Sequence, residues 1–374
     1  MFLREFEAKH LLQSVGVTVP GGTLIRDPAE LDECALSYPL AVKAQVAGGG
    51  RGKAGGVVRA EDPAAVRSAA RRVLSLDFEG ERAEAVLLEP WLTAERELYL
   101  CVAVDGRAGG YVVLYAPQGG VEVEAGQPPT RYDVGSPNDF RGHELRDVLA
   151  AVEPDAALRE SVVPLARQLL HLAASRDCVT VEINPLFVVE DGGLVAGDAK
   201  IILDEWAAFR SADIAEAIAR ARRGEPDLVR RCLEAGLMLV PLDGDIGLIS
   251  GGAGMTMAVM DLIAEAGSRP ACFLDCSANP APQGYGLAFA MLDADPRVRS
   301  ILVSIFGGAT QMERVARVMT RLMAERDSDK PVVFRLNGTN AHQIDDIFAA
   351  AGLDNHATIE AAVATAVNVI GGGA

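Results

Sequence analysis

The chain has 374 residues, 49% of them hydrophobic and 23% charged, and carries a formal net charge of −17. That length suits about two to three domains and that composition a globular protein, with no apolar run reaching the ~18 residues a membrane span needs. A nucleic-acid binder would need a basic face against this balance, and only short pairs such as Arg71-Arg72 and Arg222-Arg223 occur.

The first segment, Arg4–Ser14, has helical apolar spacing through Phe6, Leu11 and Leu12, and Gly16 is placed to end it. A strand over Val17–Ile25, broken at Pro-Gly-Gly, follows. Asp27-Pro28 and Asp62-Pro63 each read as an Asp cap with proline at the first helical position. Between them, residues 43–56 read Lys-Ala-Gln-Val-Ala-Gly-Gly-Gly-Arg-Gly-Lys-Ala-Gly-Gly, with strand-like flanks. Glycines let backbone N–H groups face a ligand, and Arg51 and Lys53 among them suggest a phosphate-cradling hairpin lid, the alternative being a Gly-rich surface hairpin with stray charges. It is no P-loop, because Ala54 follows Lys53 and no helix follows directly. Lys43, inside an otherwise apolar strand, needs a partner or a ligand.

A strand at Ala85–Leu88 leads to a hairpin of residues 98–104 and 111–115. Residues 117–143, rich in Gly and Pro, read as loop. A helix over Ala156–Ala174 precedes a second hairpin, Cys178–Glu190 and Leu194–Leu203, and residues 212–236 are helical in pattern. From Asp245, strands alternate with helices to the end: Ile246–Ser250, Ala271–Asp275, Ser300–Ile305 and Pro331–Leu336 each precede a helical run. That βαβα order implies a parallel sheet covered on both faces. The change in texture places domains at 1–237 and 238–374.

Chemistry concentrates in three places. On the second hairpin Glu182 and Asn184 share a face, with Asp198 on the other arm; these are hard oxygen donors suited to Mg²⁺ beside a substrate phosphate. A plain polar hairpin face is the alternative. Glu89, Glu95 and Glu97, at and after a strand end, suit hydrogen bonds from a nucleotide base or ribose, or are surface charge. Gly251–Gly254 and Gly307–Thr310 each follow a strand and precede a helix, so their N–H groups are placed to meet an anion, if they are not merely tight turns. The six scattered cysteines have no zinc spacing and read as reduced, buried thiols; with no signal peptide recognised, the cytoplasm is the expected compartment. None of the five histidines sits in a setting that suggests a catalytic role.

At this point the chain resembles the β subunit of ADP-forming succinyl-CoA synthetase and the related malate-CoA ligase. The resemblance is carried by Glu5-Phe6-Glu7-Ala8-Lys9, Lys43–Gly56, Glu97-Leu-Tyr-Leu, Glu182-Ile-Asn-Pro-Leu, Leu242-Asp-Gly-Asp-Ile-Gly, Gly252-Ala-Gly, Ile305-Phe-Gly-Gly and Arg335-Leu-Asn-Gly-Thr-Asn-Ala. It implies an α/β chain with an ATP-grasp domain followed by a flavodoxin-like CoA-ligase domain. It implies ATP binding by Lys43, Gly50, Arg51, Gly52, Glu89 and Glu97, and Mg²⁺ held by Asn184 and Asp198. Glu182 would steady a phosphohistidine visiting the nucleotide site. Gly251, Gly252, Gly254, Gly308, Ala309 and Thr310 would face the acid. The phosphorylated histidine and most of the CoA site would lie on a separate α subunit, in an αβ or α2β2 assembly.

The departures from the family pattern gather on the acid side. Cys276–Gly284 replaces a glycine-rich run, Gly251 and Ser304 stand where Asn is usual, and Asn337 stands where Glu is usual. Ala47, in the lid, replaces a usual His. The loop's Ser277, Asn279 and Gln283 suggest an acid other than plain succinate, malate-like or sulfonated. Two other readings are open from sequence: a stand-alone ATP-grasp ligase joining a carboxylate to an amine, and a nucleotide-binding subunit without acyl chemistry.

Overall fold

Asp62 shows how local sequence sets the frame. Its Oδ1 accepts the Ala65 N–H at 2.8 Å and Pro63 opens the helix behind it, so helix start and strand end are fixed within a few residues. The structure, a computed structural model, describes residues 1–371 apart from 34–36, 48–50, 79–80, 121–127, 223–225, 277–281 and 309. It divides into two compact units, Met1–Ala221 and Arg222–Ala374. The texture of the sequence places that division at 238. The helix Asp227–Glu234 accounts for the difference, because its Val229 and Cys232 are buried in the second unit's core.

In the first unit α1 (Glu5–Ser14) stops where expected, with Gly16 at φ +84°. Only Thr23–Ile25 forms β1; the Pro20-Gly21-Gly22 break keeps the residues before it out of the sheet. The turn after Asp27 is a 3-10 helix, Pro28–Glu33. β2 (Leu40–Ala44), β3 (Val57–Ala60), α2 (Pro63–Ser75), a short ribbon of β4 (Asp77–Phe78) and β5 (Glu81–Arg82), and β6 (Val86–Pro90) follow. The first sheet is ordered β1-β6-β2-β3, all antiparallel. α2 buries Val66, Ala70 and Val73 on it, against Val42, Val86 and Leu88.

The second sheet is built from β7 (Arg96–Asp105), β8 (Gly110–Ala116), β9 (Thr130–Gly135), β10 (Cys178–Val188), β11 (Leu194–Ala196) and β12 (Ala199–Leu203). Its order is β11-β10-β7-β8-β9, with β12 also paired to β10. Residues 117–143 are therefore not simply loop. β9 alternates, burying Tyr132 and Val134, and α3 (Gly142–Ala150) begins inside that stretch. α4 (Ala156–Ser175) covers one face, where Leu100, Val102, Val181 and Ile183 meet Val162, Ala166 and Leu169. Side chains alternate along a strand, so Tyr99, Cys101 and Glu182 fall on the other face. The first unit ends with α5 (Ala212–Ala221).

In the second unit α6 (Asp227–Glu234) precedes β13 (Met238–Pro241), a strand the sequence reading did not anticipate. Then come β14 (Ile246–Ser250), α7 (Ala253–Glu265), β15 (Cys272–Asp275), α8 (Pro282–Ala294), β16 (Ser300–Gly307), α9 (Met312–Glu325), β17 (Val332–Gly338), α10 (Ile344–Ala349) and α11 (Ile359–Gly371). The order is β13-β15-β14-β16-β17, parallel except for β13. The four parallel strands follow the flavodoxin-like order, which reverses direction at β14. α7 and α11 bury one face, with Ile246, Leu248, Leu302 and Val333; α8, α9 and α10 bury the other, with Ile249, Val303 and Phe334. Five cysteines, Cys101, Cys178, Cys232, Cys272 and Cys276, are buried free thiols, while Cys34 lies outside the described residues. No helix of the described residues is long and apolar enough to cross a membrane.

Candidate functional site

The first unit holds a cavity of about 770 Å³. One wall is the β2–β3 hairpin with Lys43, Arg51, Gly52 and Lys53; a second is the end of β6 with Glu89-Pro90-Trp91-Leu92. The open face of the second sheet supplies Glu182, Asn184 and Lys200, and Asp198 comes from the turn between β11 and β12. Glu97 and Gly120 also line it. Of the sequence-derived nucleotide and metal residues, all but Gly50 are thus brought together; Gly50 lies outside the described residues. Arg59 stacks over Trp91 at 5.3 Å from the ring centroid, giving that wall a flat apolar surface beside charge.

Beneath the cavity three cations meet three carboxylates. Lys43 Nζ lies 2.9 Å from Glu5 Oε1 and 2.7 Å from Glu89 Oε2, and donates to Gly197 O at 2.6 Å. Lys9 Nζ lies 2.8 Å from Glu5 Oε1 and 2.6 Å from Glu89 Oε1. Arg51 donates to Ala44 O at 2.9 Å, lies 2.9 Å from Glu5 Oε2, and is hydrogen-bonded to Asp198 Oδ1. Lys9, Lys43, Arg51, Glu5 and Glu89 are all buried. Burial alone would raise the Glu5 pKa, but Lys43, Arg51 and Lys9 outweigh it and hold the carboxyl well below its ordinary range. For Lys43 burial works downward and is outweighed by Glu5, Glu89 and Asp198, which keep the ammonium charged. Burial, with Lys43 adding to it, pulls Lys9 down.

The resemblance implies nucleotide contacts for Lys43 and Glu89; both line the cavity, and each is also paired with charged neighbours. In the sequence Glu5 and Lys9 stand out only as part of the opening motif Glu5-Phe6-Glu7-Ala8-Lys9. Their i,i+4 spacing on a helix that packs by its apolar side was the available signal.

Asn184 Oδ1 accepts the Gly120 N–H at 2.6 Å and its Nδ2 donates to Gly120 O at 3.3 Å. That closeness requires glycine: Gly120 has φ +81° and a Cβ there would lie 2.7 Å from Glu97 Oε2. Asp198 Oδ1 accepts from Arg51 and, at 2.6 Å, from its neighbour Ala199 N–H. One charged and one neutral oxygen donor on this cavity match how Mg²⁺ is usually held, by one or two protein groups plus substrate phosphate. No cluster of three His, Cys, Asp or Glu able to hold a metal occurs among the described residues.

Glu182 sits in a row across the open sheet, opposite Cys101 on β7 and Lys200 on β12. Tyr99 O–H reaches its Oε2 at 3.4 Å. Burial, then Cys101 and Glu182, push the Tyr99 hydroxyl up, and burial and Glu182 push the Cys101 thiol to about 12, so both stay protonated. Lys200 lies 5.5 Å from the Phe2 ring centroid.

In the second unit Gly251 and Gly252 lead from β14 into α7, and Gly254 stands in the first turn of α7. Gly252, at φ +91°, already donates its N–H to Asp275 Oδ1 at 2.6 Å. Gly308 and Thr310 lead into α9, while Ala309 lies outside the described residues. Gly307 before them must be glycine, since a Cβ would collide with the Met312 sulfur and Thr310 O. Of Cys276–Gly284, Cys276 is buried and Pro282 opens α8, but Ser277, Asn279 and the residues between them lie outside the described residues.

A family model for ATP-grasp domains matches residues 2–188 and one for CoA-ligase domains matches residues 249–369. The chain is 36% identical over 351 residues to the succinate–CoA ligase [ADP-forming] subunit beta of Chloroflexus aurantiacus, covering 91% of each chain. It is 36% identical over 377 residues to the protein of that name from Halobacterium salinarum, covering 98% of each. Among solved structures, ATP citrate lyase from Methanothrix soehngenii, in complex with citrate and coenzyme A, aligns with a TM-score of 0.75 at 17% identity, over 98% of this chain and 99% of that one. That likeness shows the fold.

Proposed function

The chain belongs to the family of ADP-forming succinate–CoA ligase β subunits, and on that premise we propose how its residues divide the work. It is a ligase subunit that uses ATP. In our reading ATP enters the first unit's cavity, its base on the Trp91 wall and its phosphates toward Arg51, Gly52 and Lys43. Asn184 and Asp198 are the residues that would hold Mg²⁺, which when bound neutralises phosphate charge.

The terminal phosphoryl group passes to a histidine on a separate α subunit, releasing ADP. Glu182 orients that imidazole by accepting its ring N–H, and the protonated Tyr99 fixes the Glu182 carboxylate in turn. The phosphohistidine then meets the acid at the second unit's loops, Gly251–Gly254 and Gly308–Thr310. A carboxylate oxygen takes the phosphoryl group as the N–P bond breaks, and the CoA thiol displaces phosphate from the acyl phosphate. The chain's contribution is positioning and charge neutralisation. The acid is a small one with a second anionic group, malate-like or sulfonated in our reading, and the assembly is αβ or α2β2 in the cytoplasm.

The observation that carries this reading is the convergence of Lys43, Arg51, Glu89, Asn184, Asp198 and Glu182 on one cavity. It is tested by co-purifying the chain with an α partner and assaying ADP release. Release that requires both CoA and an acid supports it; release that requires an amine in place of CoA refutes it.

A further inference from the structure

Four strands of the second unit place one residue each in a row across the sheet, at the last residue of β14 and β15 and within β16 and β17. Asp275 on β15 is opposite Ser250 on β14, Ser250 is opposite Ser304 on β16, and Ser304 is opposite Arg335 on β17. Register partners share a face, and the parity of Leu248, Leu302 and Val333 puts this row on the side covered by α7 and α11. The row crosses β14, where the strand order reverses and where open α/β sheets bind ligands.

We propose that Ser304 and Arg335 form the site that grips the second, non-reacting anionic group of the acid. This rests on the functional reading above and names the residues that would select its substrate.

The first support is unmade hydrogen bonds. Arg335 is only 9% exposed, yet its Nε and Nη1 have no partner among the described residues, and neither does Ser304 Oγ. Other serines on this face are satisfied: Ser250 Oγ donates to Ser304 O at 2.9 Å and Ser300 Oγ to Ala366 O at 2.8 Å. Adjacent orphan groups, one of them a buried charge, are costly unless something completes them. A guanidinium offers only donors, in a planar fork that suits a carboxylate or sulfonate, and the hydroxyl adds one more.

The second support is the surrounding charge. Burial pulls the Arg335 pKa down, and Glu360, in the first turn of α11, only partly offsets it. α11 itself presents its N-terminal dipole end on this face. At the other end of the row the comparable position is taken, since the Asp275 carboxylate accepts the Gly252 N–H at the start of α7. The unpaired donors of the row therefore gather at its β16–β17 end, where an anionic group is welcome beside Arg335.

The test uses the chain with its α partner and compares succinate, malate and 3-sulfopropionate with butyrate, which lacks the second anion. Arg335→Gln should raise KM for the three dianions at least about tenfold, the loss of one charged contact, and leave butyrate unchanged. ATP-dependent phosphorylation of the partner's histidine should be unaffected, and Arg335→Lys should recover part of the loss. Ser304→Ala should shift the dianions the same way by about threefold to tenfold.

A folded Arg335→Gln complex that keeps the parent's dianion-to-butyrate ratio overturns the proposal. Should that variant fail to fold, an unchanged ratio in Ser304→Ala does so. If the parent complex never phosphorylates a histidine, the functional reading falls separately. Titration calorimetry with succinate then reads the site alone: heat lost in Arg335→Gln supports it, and no heat in the parent contradicts it.

Discussion

Arg51 donates from its guanidinium to the carboxylate of Asp198, tying the glycine-rich hairpin between β2 and β3 to the turn between β11 and β12. One is the cation expected on nucleotide phosphate and the other the carboxylate expected on Mg²⁺. Each occupies the other's binding capacity, so a metal–nucleotide pair entering the cavity exchanges one set of opposite charges for another.

Asp198→Asn removes the only formal charge among the two proposed metal donors. The Mg²⁺ concentration giving half-maximal phosphorylation of the partner should rise at least about tenfold. An unchanged Mg²⁺ dependence rejects the assignment.

Lys43 stands between two buried carboxylates and the cavity. Lys43→Ala should lower ATP affinity about tenfold or more, the loss of one charged contact, and also lower the melting temperature, because Glu5 and Glu89 lose a partner. Isothermal titration showing parental ATP affinity would limit Lys43 to a structural role.

Glu5 gives a pH signature. Its carboxyl is held below the ordinary 4.5 by Lys43, Arg51 and Lys9 against the opposing effect of burial. Its contribution to stability is therefore full above about pH 4.5 and fades as pH falls toward the depressed value. Glu5→Gln should cost about 3–5 kcal/mol at neutral pH, as for a buried ion-pair partner removed, and flatten this part of the acid unfolding limb. A parental acid limb in the variant would show that Glu5 is not the titrating group.

Much of this arrangement was legible in the residues. The Asp–Pro helix starts, the βαβα alternation from residue 245 and the Gly16 stop are local signals, and the structure places elements there. Lys43 in an apolar strand announced that it needed a partner. The identity of that partner was hidden, because Glu5 lies 38 residues away on a helix and Glu89 on a third element. β9 was missed because Pro and Gly on both sides masked a six-residue alternation, and β13 because an edge strand leaves alternate residues exposed. Arg335 carries the same signal as Lys43, a charge in an apolar run, but only the structure shows that its Nε and Nη1 have no partner among the described residues.

Glu182→Gln should leave ATP affinity near the parental value while slowing phosphorylation of the partner's histidine by about 10², the scale of a misplaced reacting group. Equal slowing of ATP binding and phosphorylation would place Glu182 on the nucleotide instead.

The central claim is that this chain passes phosphate from ATP to a histidine on another subunit. The direct measurement supplies ATP labelled at its terminal phosphate, with Mg²⁺, to the chain alone and to the chain with its α partner, then locates the label by mass spectrometry. Label on a histidine of the partner, discharged by acid plus CoA and absent from the chain alone, is the result expected. Label retained on this chain, or acyl-CoA formed by this chain without the partner, would contradict the account.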